Sequence, residues 1–69
     1  MNWKGWEIHH KYAPAPGVWF VSIKAPNGKF VSHDEKSKGP SPYELNAAIR
    51  RAQDWIDNEI AKARGGEVT

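Results

Sequence analysis

Residues 6–12 alternate, with Trp6, Ile8, His10 and Tyr12 on one side and Glu7, His9 and Lys11 on the other. A period of two is the pattern of a half-buried strand. Ala13-Pro14-Ala15-Pro16-Gly17 breaks it, since its two prolines can neither pair within a central ladder nor continue a helix, and this predicts a loop. Residues 18–25 are rich in β-branched and aromatic types and alternate again, Trp19, Val21, Ile23 and Ala25 against Val18, Phe20, Ser22 and Lys24. The first set makes the better core face, with Trp19 expected as its central aromatic, opposite Leu45 or Ile49. Pro26-Asn27-Gly28 is a hairpin signal, and residues 29–33 form the returning strand.

The turn admits two registers. A three-residue loop with a bulged Gly28 pairs Ala25 with Lys29, sets Ile23 against Val31 and leaves Phe30 on the outer face; a turn of Asn27-Gly28 alone exchanges the faces. Proline suits the first corner of a type I turn, which favours the first register. Residues 33–40 are charged and end in Gly-Pro, which predicts an exposed loop.

Ser41-Pro42-Tyr43-Glu44 has the form of a capping box with proline at the first helical position. At about 100° per residue, Leu45, Ala48, Ile49, Ala52, Ile56, Ile60 and Ala63 then share one stripe, with Trp55 at its edge. Gly65-Gly66 supply the stop, and residues 67–69 are expected to fray. The expected fold is α+β, a three-stranded antiparallel meander packed on one face by a long C-terminal helix (β-β-β-α), with residues 1–66 as a single domain. A helix of about 34 Å outruns a strand of about 26 Å. Its far end is therefore expected to cover the sheet's edge through residues 1–4, to form a self-association surface, or to fray with Ile60 exposed, an outcome that Glu59 within the stripe favours.

Composition narrows the function classes. The chain of 69 residues has eight aromatics beside a single leucine, so aromatic burial must contribute much of the packing. It has no Cys, which removes disulfides and thiolate metal sites. No apolar run approaches the roughly 20 residues of a membrane span, and no signal-peptide stretch opens the chain, so a cytoplasmic location is the expectation. His9 and His10 point to opposite sides of one strand and His33 belongs to another, so no metal site is expected. Asp34 and Glu35 sit in a charge run with lysines. No phosphate-cradling glycine loop or nucleophile elbow occurs; an enzyme and a cofactor are not expected.

What remains is binding. Before Ser41 the chain carries six lysines against three acids, with aromatics interleaved. A Gly-Val-Trp strand, a turn, a short strand and a Ser-Pro-capped, Ala-rich helix are similar in layout to the plant ethylene-response-factor type of DNA-binding domain, which implies a sheet that reads DNA. That family's sheet uses several arginines, whereas the first arginine here is Arg50. A second resemblance, over residues 3–60, is to a group of small bacterial β-β-β-α proteins of no established function. It rests on Trp3-Lys4-Gly5-Trp6-Glu7-Ile8, the Trp-centred strand 18–23 and Ala52-Gln53-Asp54-Trp55-Ile56-Asp57, and it implies a fold without implying a site. The candidate binding face is Val18, Phe20, Lys24 and Phe30, flanked by Lys11 and Lys29. The expected partner is a protein or a second copy of the chain; the alternative is weak DNA or RNA binding on the same face.

Overall fold

Lys4 and Gly5 both adopt positive φ, 53° and 89°. Two such residues in succession make the tight turn whose twist matches a hairpin. In the computed structural model, which describes residues 1–64, they fold Asn2–Trp3 (β1) back onto Trp6–Ala13 (β2), with Trp3 opposite Trp6. The next elements are Val18–Lys24 (β3), Phe30–Lys38 (β4) and the helix Pro42–Arg64 (α1). The sheet is antiparallel in the order β1-β2-β3-β4 and α1 lies on one face, so the architecture is α+β with four strands where three were expected. The added strand is too short to show a periodicity. The glycine stop at Gly65-Gly66 and the frayed tail 67–69 lie outside the described residues.

The β3–β4 hairpin follows the three-residue register. Gly28 N–H donates to the Ala25 carbonyl at 2.9 Å, Ala25 N–H to the Lys29 carbonyl at 2.9 Å, and Lys24 pairs with Phe30. Gly28 sits at φ 87°, where a side chain would be strained. Further along, Ser22 pairs with Asp34, so β4 carries two more residues than β3 between these pairs. An excess of two preserves parity: Val31, His33, Glu35 and Ser37 all turn toward the helix. The expected loop over residues 33–40 is thus corrected, since the strand runs on to Lys38 before Gly39 and Pro40 lead into the helix.

Ile8, Val21 and Ile23 from the sheet and Ala48, Ala52 and Ile56 from the helix form the core, each at most 1% exposed. The two alanines let the helix approach closely, so β-branched side chains fill the centre of the interface and the indoles of Trp3, Trp6 and Trp55 pack around its rim. Each of the three isoleucines contributes about 1.5–3 kcal/mol by burial. Trp19 is therefore not the central residue expected. It lies half-buried at the helix-entry end, 5.0 Å from the Tyr12 ring, and its indole N–H donates to the Ser41 carbonyl at 3.2 Å. Tyr12 in turn lies over Gly39, where an added Cβ would fall 2.0 Å from its ring. At the opposite end Trp6 meets Trp55 edge-on at 6.0 Å.

Of the expected covering of the helix's far end by residues 1–4, Trp3 and Lys4 supply a part, reaching α1 at Asp57, while residues 61–64 beyond it are exposed. Trp3 Nε1 donates to Asp57 Oδ1 at 3.0 Å and Lys4 Nζ to the same oxygen at 2.9 Å. Both contacts stabilise the ionised form, and they hold the Asp57 carboxyl below its usual range. Ile60 is partly buried against the core.

Candidate functional site

Alternate residues of β2, β3 and β4 point away from the helix and form four cross-strand rows. Ala13, Val18 and Lys38 make the first, Lys11, Phe20 and Lys36 the second, His9, Ser22 and Asp34 the third, and Glu7, Lys24 and Phe30 the fourth. No described residue of the chain covers this surface. Five of the six expected site residues lie on it: Val18, Phe20, Lys24, Phe30 and Lys11. Lys29 stands apart in the hairpin turn, its N–H held by Asn27 Oδ1 at 2.9 Å. Lys36 and Lys38 were missed because their segment lacks apolar residues, although the Lys-Ser-Lys spacing around Ser37 was a usable signal that the two share a face.

The face has two aromatic centres, each with a cation. Lys36 Nζ lies 5.5 Å from the Phe20 ring centroid and Lys24 Nζ 5.6 Å from that of Phe30. Such contacts put a positive charge over the negative face of the ring. His9 reaches across the small Ser22 to within 5.6 Å of Phe30, while its Nε2 pairs with Glu7 at 3.0 Å. Phe30 is 59% exposed. Lys11, Lys24, Lys36 and Lys38 stand against Glu7 and Asp34, so the face is basic, and it contains no Arg, Asn or Gln.

The polar residues of β4 that turn inward have a different use. His33 stacks on Trp55 with centroids 4.7 Å apart and planes 7° from parallel. The Glu35 carboxylate meets His33 Nε2 at 2.5 Å and Arg51 Nε at 2.8 Å. Burial alone would raise the Glu35 carboxyl, but the hydrogen bonds from Arg51 and His33 outweigh it and hold the group below its ordinary value. Arg51 Nη2 also donates to the Lys36 carbonyl at 2.9 Å, and Ser37 Oγ to Glu44 Oε1 at 2.8 Å. The helix cap is correspondingly altered. Ser41 Oγ accepts the Tyr43 N–H at 3.2 Å, while Glu44, expected to reach back to Ser41, holds Ser37 instead. These groups engage one another and fasten strand to helix.

The three histidines have separate surroundings, His9 beside Glu7 and Phe30, His10 beside Trp19, and His33 beside Trp55 and Glu35. A shallow hollow on the far side of the molecule, lined by Tyr43, Asn46, Ala47, Arg50, Arg51 and Asp54, is formed by one helix surface and shares Arg51 with the inner network. No helix among the described residues is long and apolar enough to cross a membrane. Comparison with protein families, curated proteins and solved structures finds no match to this chain.

Proposed function

We propose that the chain is a non-enzymatic binding module of the cytoplasm that holds nucleic acid on its outer sheet face through the phosphates. The observation that supports this reading is the row pattern itself: Lys11, Lys24, Lys36 and Lys38 converge on a face the helix leaves open. Lysine ammonium groups are mobile point charges suited to phosphates and poor at bidentate base recognition, so binding is weak and salt-sensitive. The likeness to the ethylene-response-factor type of domain agrees with a helix-backed sheet used in this way, and the lack of arginine moves the emphasis from bases to backbone. A symmetric dimer through the same face would bring one copy's lysines near the other's, which disfavours the self-association expected from sequence. The exposure of Phe30 favours a second reading, a protein partner over this face.

The test is an amide NMR titration with a short duplex and a single strand, at about 50 and about 200 mM salt, beside sedimentation of the free protein. Four phosphate contacts on a single strand predict about fiftyfold weaker binding at the higher salt. Amide shifts confined to the outer residues of β2, β3 and β4 are expected. Salt-independent shifts, or shifts on the helix alone, would overturn the reading. Concentration-dependent sedimentation abolished by Phe30→Asp would replace it with self-association.

A further inference from the structure

We infer that the nucleic acid this face takes is a single strand, with Phe20 and Phe30 as two separate base-stacking platforms; the inference rests on the phosphate-holding reading above. Phe20 and Lys24 are four residues apart on β3, and Phe30 is the cross-strand neighbour of Lys24. At about 3.3 Å per residue and about 4.8 Å between strands, the two rings stand about 14 Å apart. They cannot serve one base, nor two directly stacked bases at a rise of about 3.4 Å. They can serve two bases of an extended strand with the intervening nucleotides passing over the third row, where His9 lies across Ser22 toward Phe30.

In a duplex the base faces are closed by their neighbours and only the edges are open, in the grooves, where Arg, Asn and Gln are the usual bidentate readers. The outer face has none of these. It has instead what an unpaired strand needs, flat aromatic surfaces with cations beside them. The lysines now resting over the two rings supply the second half of the interaction. A base arriving on the ring carries its phosphate with it, and the ammonium exchanges the ring face for that phosphate. Asp34 repels phosphates on the β4 side of the third row, so there the backbone crosses on the β2–β3 side, from the row of Lys11, Phe20 and Lys36 toward Lys24.

Oligothymidylate and a duplex of matched length are titrated into the wild type, Phe20→Leu and Phe30→Leu, with amide dispersion confirming that each variant is folded. Each leucine variant is expected to weaken single-strand binding by about five- to 150-fold while leaving its salt slope unchanged. Lys36→Gln does the reverse, lowering that slope by about 0.7. Should Phe20→Leu fail to fold, Phe30→Leu carries the test alone, because its ring is already exposed. Equal duplex and single-strand affinity with no effect of either leucine would overturn the stacking inference and leave the phosphate-holding reading intact. Absence of outer-face shifts with both nucleic acids would remove both.

Discussion

One step along β2, β3 or β4 exchanges two very different environments. Ile8, Val21 and Ile23 face the helix and are closed from water, and the β4 polar residues sharing their side, His33, Glu35 and Ser37, each have a partner on α1. Their neighbours Lys11, Phe20, Lys24 and Lys36 face outward, and there the lysines rest on rings of the same surface. The contrast teaches how to separate structural from functional polarity in so small a molecule. An inward charge is explained by the group it meets. The outward Lys24 and Lys36 rest on Phe30 and Phe20, arrangements that a ligand can displace at little cost to the fold.

The largest expected effect lies on the inner side. Ile23→Ala should destabilise by about 2–5 kcal/mol, comparable to the whole stability of a domain this size, and leave the chain largely unfolded in chemical denaturation. A cooperative transition at an unchanged midpoint would break the contrast at its strongest point. Ser41→Ala should cost about 0.5–2 kcal/mol through the lost acceptor for the Tyr43 N–H, read from the same midpoint.

Glu35→Gln should cost on the order of 1 kcal/mol at neutral pH, since the ion pair to Arg51 and the contact to His33 are weakened. Its pH dependence is the sharper readout. The Glu35 carboxyl is held low in the folded state, so its contribution is present above the ordinary glutamate value and disappears as pH falls through the folded value. Denaturation midpoints of the variant should fall less steeply on acidification than those of the wild type. Asp57, also held low beside Lys4 and Trp3, retains its share in both proteins. The smallest effect belongs to the outer side, where Phe30→Ala should alter stability by no more than about 0.5 kcal/mol. A loss well above 1 kcal/mol would mean that this ring supports the fold and is not free to bind.

Parity made most of this architecture legible. The Trp19-Val21-Ile23 alternation and Pro26-Asn27-Gly28 were enough to set the hairpin register and to put Phe30 outside, and the same alternation carried the outer face. Residues 33–38 were illegible for a physical reason. Strand periodicity is recognised by hydrophobicity, and here the inward positions are His, Glu and Ser, whose partners Trp55, Arg51 and Glu44 are supplied by the helix. That omission also hid Lys36 and Lys38, and with them much of the charge that bears on function. Trp19 misled for a related reason: size suggested the centre, but Ile8, Val21, Ile23 and Ile56 fill it against Ala48 and Ala52, and the indoles pack around the rim.

The contact from Arg51 to the Lys36 carbonyl has a bearing on how copies of the chain coexist. β4 is one of the sheet's two outer strands and nine residues long, and an open border of that length is a template for another chain's strand and hence for aggregation. Backbone groups of an antiparallel strand alternate in direction, and Gly39 N–H is turned to Gly17, so those of Asp34, Lys36 and Lys38 point away from β3. Arg51 occupies one of these outward carbonyls, and the two-residue excess near His33 interrupts the regular ladder beyond it. An intruding strand must displace a guanidinium and seat itself beside three charged side chains. The helix thus guards the β4 border of the sheet as well as its core, and it does so without covering the open face.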